Sequence, residues 1–218
     1  MADSQSLFPL SLISTAALPD GFSIRPLARD DYHKGFYECL RVLTWVADPT
    51  EVEFQARFDE MAAAKDTYFF AVVEFRGRIV GTGCLVVERK FIHNHGKCGH
   101  IEEIAVAKEH QGKGLGLNIM RALESVAVSV GCYKSILNCG PRNEPFYEKC
   151  GFHNSGIEMS VYFEEERDNY HRALAAWLES MTGFEGMQGH AAVYRVAKVQ
   201  LSTNVKLTTI RRNGDRHV

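Results

Sequence analysis

The 218-residue chain lacks an excess of charge of either sign. Its 25 lysines and arginines against 27 aspartates and glutamates leave a formal charge of −2. That argues against nucleic acid as the main partner, because a phosphate backbone selects strongly basic faces. Nothing approaches the ~18 consecutive apolar residues a membrane span needs, so no membrane partner is expected. The first basic residue is Arg25, so no charged-then-apolar leader of the secretory kind is read at the start. There is no internal repeat. The six cysteines, Cys39, Cys84, Cys98, Cys132, Cys139 and Cys150, include no Cys-x-x-Cys pair. Zinc sites usually bring their ligands in such pairs, and His93 and His95 beside Cys98 are a weak substitute. No metal and no disulfide are therefore expected, and a reducing cytoplasmic location is. Thiols in apolar runs such as Gly83-Cys84-Leu85-Val86 read as small core residues.

What is present is ordinary for a globular chain, with 45% hydrophobic and 24% charged residues. At roughly 150 residues per domain the length allows one domain with extensions. Residues 1–20 read as an irregular N-terminal arm packed by Leu7, Phe8 and Leu10. Residues 22–27 alternate as an edge strand, since Pro26 cannot donate to a ladder. Asp30 or Asp31 is expected to cap a helix with Tyr32, Phe36, Leu40 and Leu43 on its apolar side. Asp48 is expected to cap the next, with Pro49 at the first position, Glu51 completing a capping-box-like arrangement, and Phe54, Phe58 and Met61 inward. A hairpin turning at Arg76-Gly77 joins strands over 68–73 and 79–87, followed by a turn at 93–99 and a strand over 101–106.

The clearest helix spans 117–130, with Leu117, Met120, Leu123, Ala127 and Val130 on one face and Gly131 where a helix end accepts positive φ. A strand over 134–138, a short helix over 143–150 and a last strand over 157–163 follow. The domain over 21–163 is thus α/β, a largely antiparallel meander with one parallel crossover. Residues 164–218 form a C-terminal extension, read as a helix over 164–182 and then a disordered basic tail.

The chemistry concentrates in Ile104-Ala105-Val106-Ala107-Lys108-Glu109-His110-Gln111-Gly112-Lys113-Gly114-Leu115-Gly116, an apolar strand and a glycine-rich loop opening the long helix. Glycines let backbone approach a ligand closely, and a helix start offers unpaired N–H groups with partial positive charge, which together suit a diphosphate. The spacing of Gly112, Gly114 and Gly116 is not Gly-x-Gly-x-x-Gly, and Lys113 is not followed by Ser or Thr. A plain turn is the alternative.

Gln111-x-x-Gly114-x-Gly116 after an apolar strand resembles the acetyl-CoA signature of the GCN5-related N-acetyltransferase (GNAT) superfamily. Phe146-Tyr147-Glu148-Lys149-Cys150-Gly151-Phe152 resembles its second signature. Leu18-Pro19-Asp20-Gly21-Phe22, Arg41-Val42-Leu43-Thr44, the run from Val87 to His93, the run from Gly99 to Val106, and Gly131-Cys132-Tyr133-Lys134 are similar to one branch, the glucosamine-6-phosphate N-acetyltransferases, especially fungal forms.

The resemblance implies a GNAT fold: a mixed, mostly antiparallel sheet flanked by helices, with a splayed central strand for acetyl-CoA and no metal. It implies pantetheine along Ile104, Ala105 and Val106, and pyrophosphate on the N–H groups of Gln111, Gly112, Lys113, Gly114, Leu115 and Gly116, with Asn143, Phe146 and Tyr147 also at the coenzyme. An amine attacks the thioester directly, with strand N–H groups near Ile104 facing the oxyanion and Tyr147 protonating the departing thiolate. Thr44, Lys90, Phe91, Ile92, His93, Glu102, Glu103 and Asn138 are implied at the sugar phosphate, Lys90 and His93 as phosphate partners, and Glu102, Glu103 and Asn138 also in catalysis, one of the acids holding the amine or taking its proton. Strand alternation lets only one of Glu102 and Glu103 face a given pocket. Glu103 and Asn138 stand where the family usually has Asp, and Tyr162 where some members place a phosphate-binding Arg from the partner. A homodimer through the C-terminal strand is implied, supplying the making of UDP-N-acetylglucosamine. A different small-amine acceptor and a non-catalytic acetyl-CoA-binding role are the alternatives.

Overall fold

A computed structural model describes residues 5–14 and 18–163, so the helix expected over 164–182 and the tail lie outside the described residues. The chain divides into two compact units, Met1–Ile157 and Glu158–Val218. The first is built on five strands in chain order, β1 (Phe22–Pro26), β2 (Tyr68–Phe75), β3 (Arg78–Arg89), β4 (Lys97–Val106) and β5 (Cys132–Ile136). All neighbours are antiparallel except β4 and β5, which run parallel. β1 takes the edge, as Pro26 requires. The hairpin turns where expected, with Arg76 and Gly77 both at positive φ, the pairing that a tight right-twisting hairpin needs.

Helices cover both faces. One face buries Phe36, Cys39 and Leu40 of α1 (Phe36–Leu40) and Phe54 and Phe58 of α2 (Glu51–Ala63). A distorted single turn, α3 (Ile92–His95), links β3 to β4. α4 (Leu115–Ser129) seals the other face with Leu115, Ile119, Met120, Leu123 and Val126, joined by Phe8 and Ile13. α5 (Glu144–Lys149) follows β5 and stops at Gly151, φ +92°.

Several expectations shift. Asp31 does not cap a helix: Gly35, at φ +90°, breaks the segment into a 3-10 turn over Asp31–Lys34 and then α1. The Asp31 side chain is instead fully buried and gripped by Arg25 at 2.7 and 2.9 Å, Lys34 at 2.9 Å and the Ala28 N–H at 2.7 Å. Capping of α2 falls to Thr50, whose hydroxyl and Glu53 form the capping box, because Asp48 engages Arg41. Leu10 and Leu43 face solvent, while Phe8 packs edge-on against Phe69 at 5.3 Å. β4 begins four residues early, because the turn is compressed into His93, Asn94 and His95, all at positive φ.

β5 ends at Ile136, leaving Asn138 in the loop beyond it. Residues 157–163 form no strand. Ile157, Met159, Val161 and Phe163 stand exposed.

Candidate active site

The site begins with an interruption in the sheet. β5 follows β4 from Lys97↔Cys132 to His100↔Ile136, and there the pairing stops while β4 continues to Val106. The opening therefore exposes one edge of β4 from Ile101 onward. The Ala107 N–H donates to the Val80 carbonyl at 2.8 Å. Backbone groups alternate along a strand, so Ala105 and Ala107 turn toward β3 and Ile104 and Val106 toward the opening. The Gln111 side chain reaches into it to donate to the Val106 carbonyl at 3.0 Å.

Within this stretch β4 carries a bulge. Thr82 pairs with Ala105 but Cys84 with Glu102, so Glu103 and Ile104 together face the single residue Gly83. Glu103 takes a left-handed φ of +54° there, unusual for a side-chain-bearing residue. The alternation that would separate the two acids is undone: Ile101 and Ile104, three apart, both pack toward α4. Glu102 and Glu103 lie toward α1, and both charges act on the buried Cys84 thiol. Burial first, and Glu102 second, push the Glu103 carboxyl above the usual carboxylate range. The Glu103 residue as a whole remains exposed.

Beyond β4 the chain passes a short turn to Gly112 and Gly114, at φ +76° and +77°. A Cβ at either would meet nothing within 4 Å, so glycine serves backbone conformation here and leaves the approach clear. Gly114 caps α4 with no side-chain acceptor and no acid in the first turn, so the first N–H groups of the helix are left for an anion. Gly116 serves close packing instead. An added Cβ would stand 3.2 Å from Phe146 Cζ, so the glycine lets α5 close on the start of α4. The Lys113 ammonium bonds back to the Glu109 carbonyl at 3.1 Å. A cleft of about 440 Å³ lined by Cys39, Val42, Arg78, Ile79, Lys108 and His110 adjoins this loop rather than the acids.

α5 brings Tyr147 to the other wall, its ring 5.0 Å from Phe146 and 6.4 Å from Phe152. Burial pushes its phenol up to about 12, with the thiols of Cys139 and Cys150 and the Glu102 carboxylate adding to the shift. The group is thus protonated at neutral pH, a donor rather than a base. Asn143 heads α5, its carbonyl accepting from the Phe146 and Tyr147 N–H groups. Asn138, two residues past β5, lies exposed on the stretch where β5 has left β4.

The residues expected at the sugar fall into two groups. Thr44 lies exposed just past α1, its N–H donating to the Leu40 carbonyl at 3.3 Å. Lys90, Phe91, Ile92 and His93 lie elsewhere. Arg89 pairs with Lys97 and Cys84 with Glu102, so at ~3.3 Å per residue this turn lies about 16 Å along β4 from the acids. Phe91 is 93% exposed there. The Lys90 ammonium sits 2.6 Å from the Glu88 carboxylate, which His100 also meets at 2.9 Å. Glu88, Cys98 and His100 hold their donor atoms within 4.8 Å of one another, so Cys98's metal-capable neighbours are not His93 and His95.

Sequence reasoning missed Tyr37, Thr82, Gly83, Glu88 and His100. Hairpin registration alone would have found Glu88, because it stands directly opposite Cys98. A bulge has no such signal, which is why Thr82 and Gly83 stayed hidden.

The profile of the "Acetyltransferase (GNAT) family" matches residues 29–152. The chain is 46% identical over 150 residues to glucosamine 6-phosphate N-acetyltransferase 1 of Dictyostelium discoideum, covering 68% of this chain and 95% of that one. It is 42% identical to the glucosamine 6-phosphate N-acetyltransferase of Candida albicans, covering 67% and 99%. The crystal structure of glucosamine-6-phosphate N-acetyltransferase from Arabidopsis thaliana superposes with a TM-score of 0.64 at 43% identity, covering 66% of this chain and 99% of that one.

Proposed function

The chain belongs to the GNAT acetyltransferase family, and on that premise we propose that it moves acetyl from acetyl-CoA to the amine of glucosamine 6-phosphate, giving N-acetylglucosamine 6-phosphate and free coenzyme A. The observation that carries this reading is the opening between β4 and β5. An exposed strand edge, an uncapped glycine-rich helix start and a protonated phenol support the reading. Relatives named for this reaction match two thirds of the chain.

In this reading pantetheine lies along Ile104, Ala105 and Val106, and the pyrophosphate takes the N–H groups from Gln111 to Gly116. Asn143 and Phe146 flank the coenzyme. The amine nitrogen attacks the thioester carbon and the carbonyl oxygen gains charge facing the Ile104 N–H. As the C–S bond breaks, Tyr147 gives its proton to the sulfur. The amine's proton leaves toward Glu102 or Glu103; burial and the neighbouring Glu102 charge disfavour the ionised form of Glu103. Thr44 and Asn138 position the sugar. Alignment of two bound substrates supplies most of the acceleration, as direct transfer needs no acyl-enzyme.

The phosphate partners Lys90 and His93 sit too far along β4 to reach the same sugar within one chain. A two-fold homodimer brings the second chain's turn to the acids. Residues 157–163, with apolar side chains alternating and exposed, are the segment we assign to cross between subunits. Mixing inactive Lys90→Ala and Tyr147→Phe subunits tests this, because random pairing restores about a quarter of the sites when Lys90 acts across the interface. No restored activity in the mixture contradicts it. The product would feed UDP-N-acetylglucosamine synthesis in the cytosol, where six free thiols stay reduced.

A second reading, a different small-amine acceptor, rests on Asn138 and Glu103 standing where carboxylates of other reach are usual. An amide cannot counter an ammonium charge. An amine panel separates the two: selective thiol release with the phosphorylated sugar supports the first, preference for another amine the second. Asn138→Asp should raise the rate on glucosamine 6-phosphate, and an unchanged rate removes Asn138 from the sugar site.

A further inference from the structure

Among the described residues Thr82 and Asp31 are the buried polar side chains, and Thr82 is fully buried. Its hydroxyl makes no bond to solvent. It donates instead to the Glu103 carbonyl at 2.9 Å, across the bulge. That carbonyl belongs to a residue held at φ +54°, so it has left the regular ladder, and a bulged backbone group needs a partner from elsewhere.

The consequence lies one atom further on. The Glu103 carbonyl and the Ile104 N–H share one planar trans peptide and point in opposite directions. Gripping the oxygen from the β3 side therefore aims the Ile104 N–H away from β3, into the opening. Gly83 works from the other face. An added Cβ there would stand 2.6 Å from Ile104 Cδ1, so the glycine leaves the Ile104 side chain room to pack toward Ile119 and Leu123. Carbonyl and side chain are both fixed, and the amide between them has one direction left.

The geometry points to Thr82 as a positioning residue for acetyl transfer: its buried hydroxyl latches the Glu103–Ile104 peptide so that the Ile104 N–H faces the oxyanion as it forms. Thr82 touches neither substrate. The latch rests on the acetyltransferase reading for its use, but the orientation it imposes exists without substrate. It also accounts for a side-chain-bearing residue at a strained φ, where Glu103's own carboxyl stays beside Glu102.

The test compares Thr82→Val, which keeps the shape and β-propensity but cannot donate, with Thr82→Ser, which can. A complete oxyanion donor is worth 10²- to 10³-fold in kcat, and a mis-aimed one should cost on the order of 10-fold. Thr82→Val should therefore lower kcat about 10-fold with KM for acetyl-CoA within about 2-fold, and Thr82→Ser should recover most of the loss. Equal losses in both variants, or an unchanged kcat in Thr82→Val, overturn the latch. The amide resonance of Ile104 in the substrate-free protein gives a readout independent of turnover. It should move in Thr82→Val and return toward the native position in Thr82→Ser. An unmoved resonance overturns the latch even if the acceptor proves to be another amine, while a moved resonance with no acetyl transfer to any amine counts against the proposed reaction instead.

Discussion

Replacing Gly83 with alanine probes the bulge at its tightest point. An added methyl would lie 2.6 Å from Ile104 Cδ1, 2.6 Å from Ile119 Cγ2 and 3.0 Å from Leu123 Cδ1. Ile119 and Leu123 are wholly buried in the α4 face, so neither has free space to retreat into. Gly83 itself is not at positive φ, so the cost is purely one of volume. Overfilling a packed core costs about 1–3 kcal/mol, which for a domain of this size lowers Tm by roughly 2–12 °C. To reach ordinary 3.4 Å contact, Ile104 must retreat by about 0.8 Å. A misplacement near 1 Å at reacting groups costs on the order of 10²-fold, so kcat should fall by at least about 10-fold. Circular-dichroism melting and a thiol-release assay read the two effects. A Tm within about 1 °C of the parent together with an undiminished kcat would mean the bulge is neither tightly packed nor coupled to transfer.

Tyr147→Phe keeps the ring contacts with Phe146 and Phe152 and removes only the proton; kcat should drop on the order of 10²-fold while acetyl-CoA affinity, by calorimetry, stays within about 2-fold. With its phenol pushed up to about 12, Tyr147 should contribute no alkaline fall in kcat below pH ~10. Asp31→Asn strips the fully buried carboxylate from Arg25 and Lys34 and should cost about 3 kcal/mol by urea unfolding, with a loss below ~1 kcal/mol contradicting the network's role. Glu103 has a folded pKa raised above its unfolded value, so its ionisation opposes folding; the penalty is full above the raised value and absent below the ordinary ~4.3. Glu103→Gln should accordingly raise Tm at pH 7–8, with the gain fading as pH falls toward 4, and a pH-independent change in Tm would reject that origin.

The elements that pack by regular period were legible in the sequence. The 68–87 hairpin, the glycine stops at Gly131 and Gly151, and Met120, Leu123 and Ala127 of the α4 stripe follow from 3.6- and 2-residue repeats and from positive φ, but α4 starts at Leu115 rather than 117 and buries Leu115, Ile119 and Val126 in place of Leu117. So was the association of an apolar strand with an uncapped helix start. Features that depend on distant partners were not. Asp31 looks like a cap in sequence, yet Arg25 and Lys34 draw it inside. Thr50 takes the α2 cap because Arg41, seven residues before Asp48, claims that side chain. The bulge at Glu103 reverses the reading of the paired acids, because alternation counts residues and cannot register an inserted one. Residues 157–163 alternate as a strand does, but a strand exists only with a neighbour, and alternation in one chain does not supply it.

In this reading the protein carries acetyl from acetyl-CoA to glucosamine 6-phosphate. Free-thiol release from acetyl-CoA, followed with glucosamine 6-phosphate, with glucosamine and with no acceptor, tests it directly. Release should depend on the phosphorylated sugar and be lost in Tyr147→Phe. Acetyl-CoA raising the melting temperature while none of the three conditions releases thiol would contradict it.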